Sequence, residues 1–405
     1  MEYDVNGVRK EFPGIGQSFN GKPLVYLDSA CTTAICQAAI DEQLRYYTQF
    51  PGCVGRADHR FGQLATDAWE RSRETIASFL NASSAKEIVI TKNTTEAINL
   101  IAGSYPFENN DCVLISDFEH NSNTLPWLCL EQKGRIRLSF VRTRPDSTFD
   151  FDAFQEALEV ERPRLVSVLH KSNLTGTEFP IREIANAAHE QGAIVIVDAA
   201  QSPLTHKLDV QDWDCDFLAF SSHKALGPSG VGVLYGKFHL LKKLGHFLVG
   251  GGTALWISRR KGPIYTELPQ RLEAGLQNCP GVMGLAAALG TIQSIGQENI
   301  NSHVISLNEF ATERLLRIPR ISIIGPQDAR KRGTILSFRV EGIDARKVAK
   351  RLNDEFNVMV RAGKNCVHYW FSTRGGDDVV RASFGPYTNI EECEALCEAM
   401  EHIAK

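Results

Sequence analysis

Short, uninterrupted apolar runs punctuate the first part of the chain at 88–91, 112–116, 165–170, 193–198, 217–220 and 231–235. Runs this short, rich in Val, Ile and Leu and without polar alternates, predict strands buried on both faces. Between them the period lengthens. Over 64–80, Ala65, Ala68, Trp69, Ser72, Ile76 and Phe79 fall near helical spacing, and 35–50 and 180–191 also read as helices, the latter with Pro180 near its start and Gly192 at its end. Strand and helix alternate from 24 to 235. That predicts an α/β domain with a mostly parallel sheet and helices on both faces. A small-residue helix over 281–296 follows. Beyond it the order becomes strand 334–338, helix 344–356, strand 358–361 and helix 390–403, a compact α+β unit. The expected division is an N-terminal segment 1–22 packed with the small domain, a large domain 23–280, and a small domain 281–405.

Two polar residues interrupt the apolar pattern where chemistry is expected. Lys224 lies in Ser221-Ser222-His223-Lys224-Ala225-Leu226-Gly227-Pro228, a turn between two buried strands. A lysine there is well placed to form an imine with a carbonyl cofactor, and pyridoxal phosphate (PLP) is the commonest such cofactor. The plain alternative is a surface loop lysine. Asp198 closes the run 193–198, at the carboxyl end of a strand, where open α/β sheets place their sites. A carboxylate there can pair with a protonated pyridine nitrogen; as an isolated residue it reads equally as a helix cap. Together, Asp198-x-x-Gln201 and Ser221-x-His223-Lys224-x-x-Gly227-Pro228 resemble the aminotransferase class-V family of fold type I PLP enzymes.

That resemblance implies a fold type I PLP-dependent transferase, with a seven-stranded sheet in the large domain and a homodimer with its site at the subunit interface. It places the phosphate on Thr94, Thr95, Ser221 and His223, the ring nitrogen on Asp198, the phenolate oxygen on Gln201, and His120 stacked on the ring. Asn173 contacts the ring oxygen or substrate, and the segment at 24–30 opens the large domain. Read alone, Thr94-Thr95-Glu96 is also a plain helix cap, and His120 a structural loop histidine. The C-terminal stretch Arg361-x-Gly363-x-x-Cys366 resembles the group II cysteine desulfurases and selenocysteine lyases, in which this cysteine is the sulfur-accepting nucleophile. Lys364, two residues earlier, offers an ammonium that favours a thiolate. Arg381 takes the substrate carboxylate, with Arg361 assisting, since a guanidinium fork matches a carboxylate. The implied catalytic residues are Lys224, Cys366 and His120, with no metal. The implied substrate is L-cysteine or selenocysteine, and the sulfur passes to an acceptor protein or reductant, as in iron–sulfur cluster assembly. The sequence departs from the family pattern at Lys364-Asn365, at Gly55-Arg56-Ala57, and at Leu276, which stands where the family has a threonine reaching the partner's phosphate. Other class-V reactions that do not use Cys366 stay open: β-elimination by a C–S lyase, epimerisation or transamination. A thiol-rich metal or Fe–S module is the distant alternative.

Composition narrows little further. The chain has 405 residues, 43% hydrophobic and 23% charged, with net charge -4. That is ordinary globular composition, with no basic surplus to suggest nucleic acid. No apolar run approaches membrane-spanning length, and no signal core opens the chain, so a cytoplasmic protein with reduced thiols is expected. The ten cysteines include no CxxC. Cys31/Cys36 and Cys393/Cys397 are the only close pairs, and neither reads as a metal site.

Overall fold

The computed structural model describes residues 3–405; residues 1 and 2 of the expected N-terminal segment lie outside the described residues. A seven-stranded sheet is built from β1 (Ile88–Thr91), β2 (Cys112–Ser116), β3 (Arg137–Val141), β4 (Leu165–Leu169), β5 (Ile194–Asp198), β6 (Phe217–Ser221) and β7 (Gly232–Gly236). Its spatial order is β1-β7-β6-β5-β4-β2-β3. All of the pairings from β3 to β6 are parallel, whereas β7 runs antiparallel to both β6 and β1. The uninterrupted apolar runs are explained by two cores. Val195 and Val197 pack into one cluster and Ile196 into another; Leu218 and Phe220 divide from Phe217 and Ala219 in the same way. Alternate side chains therefore meet helices on opposite faces, and neither face tolerates polar residues. Each fully buried Leu, Ile or Phe contributes about 1.5–3 kcal/mol.

The helix Cys279–Ile295 packs on Gln37–Gln49 and Arg60–Phe79. It turns by 73° at Gly296, φ +89, into Gln297–Leu316. The C-terminal unit is a four-stranded antiparallel sheet of β8 (Ile321–Ile324), β9 (Ile335–Val340), β10 (Arg361–Gly363) and β11 (Val379–Ser383), in the order β8-β9-β11-β10. Helices Ala345–Phe356 and Gln297–Leu316 pack on it, and Ile390–Ile403 packs on those two helices. The stretch at 24–30 is hydrogen-bonded to this unit: Val25–Tyr26 pairs in parallel with Val358–Met359, and Asp28 bridges to Ser383. A strand of two residues satisfies its backbone groups only against a free partner, and Val358–Met359, which lies outside the four-stranded sheet, offers one. Among the described residues, no single helix is long and apolar enough to cross a membrane.

Candidate active site

The reversed strand β7 builds the first half of the site. Gly232 is paired with both Ser221 and Thr91, so the chain leaving β1 and the chain leaving β6 emerge on either side of it. A Cβ at Gly232 would lie 2.4 Å from Asn93 Cα; only glycine lets the two segments approach this closely. The helix α1 (Thr94–Ser104) begins there, capped by Asn93, whose side chain accepts from the Glu96 N–H at 2.9 Å. The cap expected in this motif is therefore Asn93, and the two threonines that follow it are free to face the cavity. Thr94 N–H donates to Ser221 Oγ at 2.8 Å, and the two hydroxyls lie 2.7 Å apart. Thr95 Oγ1 lies 2.7 Å from Ser122 Oγ. A helix N-terminus ringed by hydroxyls is an anion site.

Lys224 stands on a short turn after β6. Burial pushes its amine below the ordinary lysine range, against the pull of Asp198, and it has no hydrogen bond to a side chain among the described residues. Asp198, at the end of β5, accepts the Ala200 N–H at 3.0 Å and is raised by burial. Burial, together with the charge of Lys224, lowers His120 to about 3 and His223 to about 4, so both imidazoles are neutral. His120 caps the helix α2 (Asn121–Gln132): its Nδ1 accepts the Ser122 N–H at 3.1 Å, which leaves the proton on Nε2. Next to it, Glu119 is fully enclosed. It accepts from Ser116, Asn123 and the Leu169 N–H, and burial raises it to about 8.

The C-terminal unit supplies the other half. Arg381, on β11, donates to Asp28 Oδ1 and to the Asn173 carbonyl, both at 2.8 Å, while its buried Nε has no partner among the described residues. Burial lowers its pKa and the Asp28 carboxylate opposes this. Cys366 follows β10 on an exposed loop in which Asn365 (φ +48) and Cys366 (φ +60) are both left-handed. Consecutive left-handed residues that are not glycine are strained, and strain of this kind collects at functional sites. Two bonds pin the loop to the large unit: Asn121 N–H donates to the Cys366 carbonyl at 2.7 Å, and Asn173 Nδ2 to the Asn365 carbonyl at 2.6 Å. Arg361 Nη1 reaches Cys31 Sγ at 3.6 Å. Gln201 Nε2 donates to the Ala30 carbonyl at 2.8 Å. Lys364 Nζ lies over the Phe371 ring at 6.0 Å, and Lys364 does not line the cavity that holds Cys366.

One cavity of about 230 Å³ collects Thr94, Thr95, His120, Asn173, Asp198, Gln201, Ser221, His223, Lys224, Arg361, Cys366 and Arg381. Residues between 30 and 381 thus reach one space because the strand ends of the large sheet face the edge of the small one. The cavity also holds residues to which the sequence reading gave no role. Asn93 and Asn365 flank the Thr94-Thr95 and Cys366 motifs, and Cys31 stands five residues before Cys36. Lys171 is a buried lysine 3.1 Å from Glu178 Oε1. Behind it, ligand atoms of His170, Glu178 and His206 lie within 4.8 Å of one another. Glu178 is shared there between Lys171 and His206, and His170 Nδ1 is bonded to Ser202 at 2.7 Å. Outside the cavity, the Glu273-Ala274-Gly275 segment is anchored by a buried, bidentate Arg73–Glu273 pair at 2.7 and 2.9 Å. Arg56 holds the Gly275 carbonyl at 2.6 Å.

The profile of the aminotransferase class-V family matches residues 25–396. A cysteine desulfurase of Pectobacterium atrosepticum is 37% identical over 406 aligned residues, covering 100% of this chain and 98% of its own. Among solved structures, the apo cysteine desulfurase of Thermococcus onnurineus superposes with a TM-score of 0.92 at 33% identity, covering 100% of this chain and 98% of that one. A cysteine desulfurase of Escherichia coli, in an S-sulfonic acid form, gives 0.90 at 31%, covering 99% and 98%.

Proposed function

The chain belongs to the aminotransferase class-V family, and from that premise we propose that it is a PLP-dependent cysteine desulfurase, converting L-cysteine to L-alanine with the sulfur held as a persulfide on Cys366. The observation that carries this reading is the meeting of Lys224, Asp198, Arg381 and Cys366 on one cavity. The cavity's own chemistry suits the cofactor. A buried ammonium and a buried carboxylate face the same space without pairing to each other, which leaves both for a third group. The hydroxyl-ringed start of α1 is built for a phosphate, and the unpartnered Arg381 Nε is a buried donor awaiting an acceptor.

When bound, PLP supplies an aldehyde that condenses with amines and a ring that takes up the electron pair released at the substrate Cα. Lys224 would hold it, Asp198 would pair with its ring nitrogen, and Gln201 and Asn173 would reach its phenolate side. Thr94, Thr95, Ser221 and His223 would take its phosphate, with His120 against the ring. The lowered amine of Lys224 is suited to lifting the Cα proton, and neutral His120 can shuttle protons nearby. Arg381 and Arg361 orient the substrate carboxylate. The Cys366 thiolate attacks the substrate sulfur; the carbon–sulfur bond breaks, the sulfur stays on Cys366 and alanine leaves. Exposure of that loop suits hand-over to an acceptor protein or reductant, and the reading extends to selenocysteine as a substrate.

A homodimer is part of the reading. The hairpin Ala254–Ser258/Gly262–Tyr265 exposes Leu255, Trp256, Ile257 and Ile264, with Leu276 exposed beyond it. An apolar group of this kind suits a second copy of the chain. At Leu276 the partner contact is limited to backbone groups.

The test is Cys366→Ala. The purified variant is expected to keep its yellow cofactor absorbance and lose alanine formation from L-cysteine. Full alanine formation by the variant would remove Cys366 from the mechanism, and pyruvate from the wild type would mean β-elimination.

A further inference from the structure

Of the ten cysteines, Cys31 and Cys366 line the active-site cavity. Cys36, Cys112, Cys215, Cys279, Cys393 and Cys397 are buried in the core. Burial raises Cys112 to about 11, and Cys279 and Cys397 to about 12, which keeps them protonated and inert. Cys53 and Cys129 lie away from the cavity lining.

Cys31 stands in a turn fastened on both sides of the site. Its N–H donates to the Asp28 carbonyl at 3.0 Å, and Thr33 N–H donates to the His223 carbonyl, next to Lys224, at 2.8 Å. Asp28 itself holds Arg381. The Cys31 sulfur accepts from Arg361 Nη1 at 3.6 Å, and Arg361 opens β10, the strand that leads into the Cys366 loop. The strand thus opens with the residue that reaches the half-buried Cys31 thiol, and the loop that leaves it carries the exposed Cys366 thiol. A fixed positive charge stands beside Cys31, where anionic sulfur would arrive.

We propose that Cys31 is a second sulfur carrier of this site, receiving the outer sulfur from Cys366 and holding it inside the cavity. The step rests on the desulfurase reading above and follows it. The Cys31 thiolate attacks the outer sulfur of the Cys366 persulfide. The bond from that sulfur to Cys366 Sγ breaks as the bond to Cys31 Sγ forms. The electron pair leaves on Cys366, which takes the proton given up by Cys31. One sulfur–sulfur bond replaces another, so nothing is oxidised or reduced overall and no co-reactant is needed. The exchange is reversible, and its position is set by surroundings: the guanidinium favours Cys31, and an acceptor arriving at the exposed loop draws the sulfur back through Cys366.

The holoenzyme is given a stoichiometric amount of L-cysteine, quenched with an alkylating reagent and mapped by mass spectrometry. The added sulfur is expected on the peptides of both Cys31 and Cys366 in the wild type, on Cys366 alone in Cys31→Ser, and on neither in Cys366→Ser. Sulfur confined to Cys366 in the wild type overturns the relay and leaves desulfuration standing. Sulfur on Cys31 in Cys366→Ser overturns the order of transfer. Neither alanine nor added sulfur in the wild type overturns the desulfurase reading and the relay together. Without any turnover, the bifunctional thiol reagent dibromobimane is expected to join Cys31 to Cys366 in the cofactor-free wild type; failure to join them places the sulfurs out of reach and overturns the proposal.

Discussion

The two halves of this cavity are built in opposite ways. The Lys224 half stands on the ends of β5 and β6, strands whose residues are almost all buried, and is braced by the Thr94–Ser221 bonds across Gly232. The Cys366 half is an exposed loop with two left-handed residues, held to the large unit through carbonyls at Asn365 and Cys366. On the proposed reading, the difference follows from what each half has to do. An amine held below its ordinary range and a carboxylate kept unpaired need dry, rigid surroundings. A sulfur that must leave the protein needs a loop that an acceptor can reach. Rigidity and access are hard to supply from one element, and here a large sheet provides the first and the edge of a small sheet the second.

The largest effect that would break this division is at Lys224. Lys224→Ala is expected to abolish alanine formation, since proton transfer alone contributes roughly 10²–10⁴-fold and the covalent hold on the cofactor is lost as well. The same change removes a buried charge without a bonded partner, so the unfolding temperature of the cofactor-free protein is expected to hold or rise. Alanine formation and thermal unfolding, measured on one sample, check both. Turnover surviving with stability lost would make the rigid half structural rather than chemical.

This asymmetry also explains what the sequence disclosed. The sheet half was legible because burial on both faces leaves an unbroken apolar run: β2 at Cys112–Ser116 has the bounds expected from the pattern. The C-terminal helix Ile390–Ile403 was legible for the complementary reason, one apolar face with Asn389 capping it. Strand direction was not. Nothing in the run at 231–235 says that β7 is reversed, although that reversal places Thr94 beside Ser221. The hairpin Ala254–Ser258/Gly262–Tyr265 was missed because its apolar residues face outward and match no buried pattern. The place of the Lys364 ammonium over Phe371 was not legible, because spacing along a chain does not say which way a side chain turns. Cys31 and Arg361 are 330 positions apart, and only folding reveals that they touch.

A smaller change sharpens the comparison from the rigid side. Gly232→Ala places a Cβ 2.4–2.6 Å from the backbone of Asn93. Backbone cannot swing aside as a flexible side chain can, so the start of α1 must shift. Overpacking of this kind costs about 1–3 kcal/mol, read as a lower unfolding temperature. The displaced helix start is expected to weaken cofactor binding, seen in an absorbance titration, more than the same change at Gly250 on the surface, where a Cβ meets nothing within 4 Å. Equal effects at the two positions would mean that the close approach at Gly232 is not what shapes the phosphate end.

The smallest effect on turnover is expected at Glu119, which lines no part of the cavity yet holds the turn that carries His120. Burial raises its carboxyl from 4.5 to about 8. Between those values the unfolded chain has lost this proton and the folded protein has kept it, so the folded state binds more protons. Stability from this group is therefore complete below pH 4.5, falls as pH rises towards about 8, and is level above that. Glu119→Gln keeps the shape and removes the titration. Denaturant unfolding at a series of pH values is expected to show a downward slope over that window in the wild type and a flatter one in the variant, with alanine formation little changed. An unchanged slope would mean that the carboxyl is already ionised in the folded protein, held by Ser116, Asn123 and the Leu169 N–H.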